Sequence, residues 1–228
     1  MKKVLTVVSI ILCCFLLFAC TEKPAETPAE PVVHDTIDVY VTFSNAGELL
    51  FKQEKVTVVD TNDDKEFTAQ ETFDAFHAAN SKEFVVSEGY ITKIWSIETG
   101  SCMYYVNDIM AGGLNEKVKD GDYFNVFIFA DTTDWSDSYS FFTARQLTAV
   151  KGQEFNLVLK NIGFDAAWNN VIAATEGATI TVDGEAKEIV TDANGVATLS
   201  FAEAGTYVIS ATSTALTLVP PVCVVTVK

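Results

Sequence analysis

Hydrophobic and polar residues alternate along 37–43 (IDVYVTF), the period-two pattern of a strand with one buried face. A β-branched run at 55–59 (KVTVV) predicts a second strand. From Thr68 to about Asn80 the period changes. Ala69, Thr72, Phe73, Phe76 and His77 recur at helical spacing and predict a helix packed by that face on a sheet. Strand patterns return at 90–96, 103–106 and 123–130, the last holding the apolar run Phe127-Ile-Phe129. Lys119-Asp-Gly-Asp122 is the turn into it, because Asp-Gly suits a tight turn with positive φ. Beyond a polar loop at 131–140, short strands recur at 155–159, 179–182, 188–190, 196–201, 206–211 and 222–227. Asp183-Gly184 and Asn194-Gly195 read as hairpin turns, which also accounts for Asp192. The expected fold is mainly β with a minor α part: an α+β domain over 35–148, then a β-sandwich over 149–228.

Lys2 and Lys3 precede an apolar run over 4–19, shorter than the roughly 20 residues a membrane-spanning helix needs. Residues 1–19 therefore read as an export signal. Leu17-Phe-Ala-Cys20 resembles a bacterial lipoprotein lipobox, which implies a lipid on Cys20 and a cell-surface location anchored to the bacterial membrane. The Pro-, Glu- and Ala-rich stretch within 20–34 then serves as an extended tether.

The balance of 31 acidic against 15 basic residues argues against nucleic acid as a partner and against anionic lipid as a docking surface. An apolar share of 49% marks a folded chain with an acidic surface, not a disordered one. Cys13 and Cys14 lie in the signal, leaving Cys102 and Cys223 beyond Cys20. They would either close a disulfide, worth about 4 kcal/mol by chain entropy, or stand as two separately buried thiols. The chain has two histidines, His34 and His77, and lacks GxSxG, P-loop and zinc-protease motifs. Catalysis is not expected, although so many carboxylates always allow an acidic pair in space.

One stretch combines residue type and spacing into a defined chemistry: Asp60-Thr-Asn-Asp-Asp-Lys-Glu-Phe-Thr-Ala-Gln-Glu71. A calcium ion takes six to eight oxygens at roughly 2.3–2.6 Å, which a tight loop supplies from alternating positions. Asp60, Asn62 and Asp64 fit loop positions 1, 3 and 5. Glu66 would ligate through its carbonyl, Thr68 directly or through water, and Glu71 as the closing bidentate carboxylate. Lys65 stands where the motif wants a glycine with positive φ, so a weak site is expected. The competing reading of Thr68 and Glu71 is a helix capping box. The loop 131–140 presents Trp135 and Tyr139, aromatics suited either to a sugar or planar ligand or to capping the core. Trp168 is a further aromatic of undecided role.

Three stretches carry a resemblance: the loop with its helix at 60–79, Met103-Tyr-Tyr-Val-Asn107, and Val118-Lys-Asp-Gly-Asp122. Together they resemble a widespread bacterial domain of unknown function related to the C-terminal β-domain of transcobalamin and intrinsic factor. The likeness rests on Tyr104, Tyr105, Val106, Asn107, Gly121 and Asp122. Asp108 follows Asn107 where that family commonly has glycine, and Cys102 stands near its usual Trp. Thr191-Asp-Ala-Asn-Gly195 and Ala204-Gly-Thr-Tyr207 resemble bacterial Ig-like surface modules. The resemblance implies a transcobalamin-C-like domain followed by an Ig-like β-sandwich, with Tyr104, Tyr105, Asn107, Trp135 and Tyr139 as the ligand-facing set. The function expected is a non-enzymatic, lipid-anchored protein with structural Ca²⁺ that binds an extracellular protein or glycan. The alternative is capture of a corrinoid such as cobalamin, or another small ligand, for a transporter.

Overall fold

The computed structural model describes residues 34–164, 167 and 169–228. The expected signal, Cys20 and Trp168 lie outside the described residues. His34 to Lys228 form one compact unit, mainly β, with a single helix among the described residues.

β1 (Thr36–Asn45) and β2 (Glu48–Val59) make a long antiparallel hairpin, bulged beside Gln53, whose φ is 56°. The short β3 (Phe67–Thr68) leads into α1 (Ala69–Ala79), as the apolar spacing predicts. β4 (Val85–Ser87), β5 (Tyr90–Ile94) and β6 (Ile97–Glu98) form a small sheet. The expected strand over 90–96 is broken because Trp95 and Ser96 both take positive φ and reverse the chain. β7 (Cys102–Val106), β8 (Ile109–Met110), β9 (Lys117–Val118) and β10 (Tyr123–Ile128) follow. The main sheet has the order β2-β1-β10-β7-β8, with β1 parallel to β10.

Period two sends Val39, Val41 and Phe43 of β1, with Phe124 and Val126 of β10, to one face. There they meet Ala69, Phe73 and Phe76 of α1 in one fully buried core. Each such phenylalanine is worth roughly 1.5–3 kcal/mol in burial. The opposite face carries Thr42, Ser44, Asn125 and Phe127, and these are buried too. The alternation read as a half-exposed strand thus ends in a stretch covered on both faces, because the C-terminal lobe packs over it.

That lobe comprises β11 (Ser138–Phe142), β12 (Gln146–Ala149), β13 (Phe155–Phe164), β14 (Asn170–Ala174), β15 (Thr179–Val182), β16 (Glu185–Val190), β17 (Val196–Leu199), β18 (Gly205–Thr212), β19 (Leu218–Val219) and β20 (Cys223–Val227). One sheet runs β14-β13-β11-β19, with β17 also on β13; the other runs β12-β20-β18-β15-β16. Leu157 and Leu199 from the first share a core with Ile180, Ile209 and Val225 from the second. The expected boundary at 148/149 divides this lobe: β11 hydrogen-bonds to β13 and β19, and β12 runs parallel to β20. The pairings with β19 and β20 join residues some eighty positions apart and leave no local pattern to read. Asp183-Gly184 closes the β15–β16 hairpin as expected. Asn194-Gly195 does not close a hairpin, since β16 and β17 lie in different sheets; it is the turn that crosses between them.

Candidate functional site

The loop at 60–71 folds on its own side chains. Asp60 directly follows β2 and is only 1% exposed. Its Oδ2 accepts the Lys65 N–H at 2.8 Å, while its Oδ1 is buried with no hydrogen-bond partner. Asn62 Oδ1 accepts the Asp64 N–H at 3.1 Å, and Asp64 Oδ1 accepts the Glu66 N–H at 2.8 Å. Lys65 takes φ 65°, the left-handed conformation that position was expected to require. The Glu66 carboxylate pairs with Lys117, which holds the exposed ammonium above its ordinary value.

Both readings of Thr68 and Glu71 bear on the geometry, and the capping box is present. Thr68 Oγ accepts the Glu71 N–H at 3.3 Å, and Glu71 Oε2 accepts the Thr68 N–H at 3.0 Å. Glu71 Oε1 accepts the N–H and hydroxyl of Thr61 at 3.1 and 3.3 Å. The Thr68 hydroxyl also donates to Glu71 Oε2 at 3.0 Å, so four donors satisfy this buried carboxylate without a metal. Among the described residues no three His, Cys, Asp or Glu side chains converge to hold an ion. Among the buried side-chain oxygens of this loop, the one without a donor is Asp60 Oδ1. A buried oxygen without a donor costs about 1–3 kcal/mol, so the residues fit a hard cation at that atom. Asn62, Asp64, the Glu66 carbonyl and Glu71 are the other oxygens the loop would offer, and an ion would have to displace the donors now held by Asn62, Asp64 and Glu71.

The five residues expected to face a ligand do not share a surface. Tyr104 and Tyr105 are neighbours on β7, so their rings leave opposite faces of the sheet. Tyr104 packs edge-on to Phe73 beside the helix. Tyr105 is buried on the other face, stacked on Tyr139 with centroids 3.7 Å apart. Asn107 and Asp108 both take positive φ and form the β7–β8 turn. The Asn107 amide donates to Asp122 Oδ1 at 2.8 Å, and its Oδ1 accepts the Tyr123 N–H at 3.0 Å. That pairing ties the turn to β10. Trp135 is 51% exposed, its ring edge-on to Phe129. The sheet's alternation and the second lobe thus place these residues on separate surfaces.

Tyr105 and Tyr139 instead belong to the junction between the lobes, with Phe127, Phe129, Phe141, Ile162 and Val219. A polar chain runs through it. Asn125 Nδ2 donates to the Tyr139 hydroxyl at 2.7 Å, and that hydroxyl donates to Asp108 Oδ1 at 2.9 Å. The Arg145 guanidinium pairs with the same carboxylate, and its carbon lies 5.9 Å from the ring centre of Tyr123 and 5.5 Å from that of Phe141. Burial pulls Arg145 down to about 10, so it stays charged at neutral pH. Burial also drives the Tyr139 hydroxyl far above its ordinary value, keeping it a donor. Asp108, Asn125 and Arg145 carried no local signal in the sequence, since their partners are brought in by another lobe.

His77 is a core residue. Its Nδ1–H donates to the Phe73 carbonyl at 2.6 Å, and its Nε2 accepts the Trp95 N–H at 2.9 Å. Burial lowers its pKa and favours the neutral ring. Cys102 and Cys223 are free thiols in separate cores, raised by burial to about 11 and about 12. No model of a known protein family matches the chain, and no characterised protein is similar to it in sequence.

Proposed function

We propose that the chain is a non-enzymatic binding protein of the cell surface, held to the membrane through Cys20, whose loop at 60–71 closes on a structural calcium ion. The observation that carries the calcium reading is Asp60: a buried carboxylate with one oxygen on the Lys65 amide and the other without a donor. Supporting it, Lys65 already takes the positive φ that position needs. An ion there would pin the junction of β2 and α1, adding stability without turnover. The acidic surface suits an extracellular protein or glycan partner better than an anionic one.

Calcium-dependent melting tests the reading. At a calcium concentration about ten times the Kd, binding adds about 1.4 kcal/mol, or roughly 3–6 °C in Tm for a chain of this size. Asp60→Asn should abolish that increment while keeping an acceptor for the Lys65 amide. Equal melting temperatures in calcium and in EGTA would end the proposal. The corrinoid alternative is weakened by the burial of Tyr105 and Tyr139; absorbance titration with cobalamin decides it directly.

A further inference from the structure

A groove of about 380 Å³ opens between the β4–β5 hairpin and the loop after β8, far in character from the acidic loop. Its size falls at the small end of the roughly 300–1,000 Å³ typical of small-molecule pockets. Two tyrosines flank it. Tyr104 forms part of the floor, with Cys102 and Leu114 beside it. Tyr90, thrust out by the Glu88-Gly89 turn, is 76% exposed. Bare backbone at Gly89, Gly100 and Gly113 supplies much of the wall, and a Cβ at any of the three would meet nothing within 4 Å.

The chemistry of the lining is selective. No Asp, Glu, Lys, Arg or His side chain lines the groove, so nothing there would compensate a charged ligand. Asn and Gln, which with carboxylates usually take a sugar's hydroxyls, are missing from the lining as well. What it offers is apolar contact, an exposed aromatic face and three hydroxyls, of which that of Thr92 donates to the Val85 carbonyl at 3.3 Å. Among the described residues neither tyrosine hydroxyl has a hydrogen-bond partner. The Tyr104 hydroxyl is pushed up to about 12 by burial, with Cys102 and Glu116 adding to it, so it remains a donor. An exposed tyrosine ring over an uncharged groove, beside a half-buried unpartnered hydroxyl, is an arrangement that a flat ring completes.

We propose that this groove binds a neutral, flat aromatic molecule, stacked on Tyr90 and hydrogen-bonded to the Tyr104 hydroxyl. The site is independent of the calcium loop and does not rest on it.

Indole is the probe, followed by the backbone amide signals of the full chain in nuclear magnetic resonance. Saturable shifts are expected at Gly89, Gly100 and Gly113, with Gly184 and Gly195 in the other lobe unmoved. Tyr90→Ala should weaken binding on the order of tenfold, the worth of one aromatic contact. This side chain is exposed, so the variant keeps its fold and the rest of its spectrum. Gly100→Leu, which fills the groove at a position with ordinary φ, should abolish the shifts. The proposal is overturned if indole gives no saturable shifts, or if both variants bind it like the parent. Shifts produced by glucose and not by indole would overturn the aromatic assignment.

Discussion

Removing one oxygen atom from Tyr139 isolates the polar chain that joins the two lobes. The Tyr139→Phe substitution keeps the ring stacked on Tyr105 and deletes only the hydroxyl. That hydroxyl sits on a residue 3% exposed, accepting from Asn125 and donating to Asp108. Its loss strands the Asn125 amide as a buried donor and removes a neutral donor from Asp108, leaving Arg145 as that carboxylate's partner. An unsatisfied buried group costs about 1–3 kcal/mol, more when its partner is charged. The expected loss is therefore about 2–3 kcal/mol, or roughly 4–12 °C in Tm. Urea unfolding measures it, and Tyr104→Phe is the internal control. Tyr104 adjoins Tyr105, the ring on which Tyr139 stacks, but points to the opposite face of β7; its hydroxyl has no partner among the described residues, so its removal should change stability by no more than about 0.5 kcal/mol. A double-mutant cycle with Asn125→Ala should show coupling of roughly 0.5–3 kcal/mol. Equal effects of the two Tyr→Phe changes, or strict additivity with Asn125→Ala, would refute the account of the junction.

Three further outcomes are expected. His77 is buried neutral with its pKa lowered, so its unfolded form takes up a proton first. Its contribution is complete above about pH 6.5 and falls as pH drops below that value, by up to about 1.4 kcal/mol per pH unit. The difference between parent and His77→Gln stability across pH 5.5–7.5 checks it, and parallel profiles would refute it. Gly195→Ala should cost several times the roughly 1 kcal/mol of an ordinary positive-φ substitution. A Cβ there would sit 2.3 Å from the Leu159 carbonyl oxygen while φ is +74°. A chemical-denaturation midpoint indistinguishable from the parent would show that the β13 backbone yields. Chelation should leave Asp60→Asn unchanged and lower the melting point of the parent alone.

How much of this was legible beforehand depends on the range of each interaction. Helix α1 was readable nearly to the residue because its signals are local: apolar spacing of three and four, and a Thr68–Glu71 capping box within one turn. The loop at 60–71 was readable for the same reason, including the strain at Lys65. Its state was not, because Thr61 turns back onto Glu71 and only three-dimensional closure reveals the Asp60 oxygen left over.

The expected ligand-facing residues are separated at the next scale. Tyr104 and Tyr105 look alike in sequence, yet a strand sends them to opposite faces, and the face given to Tyr105 is covered by β11 from the other lobe. The groove under Tyr90 was invisible because its lining comes from three separate stretches of chain, beginning at Gly89, Gly100 and Gly113, and these glycines carry no pattern to read. The sequence by itself determined the β-rich class, the helix, the acidic loop and most turns, since each rests on contacts a few residues apart. Tertiary structure alone decided which strands pair in parallel, where one lobe ends, and which aromatics are buried. Those outcomes follow from contacts between positions tens of residues apart, where burial of the whole surface, not local propensity, sets the free energy.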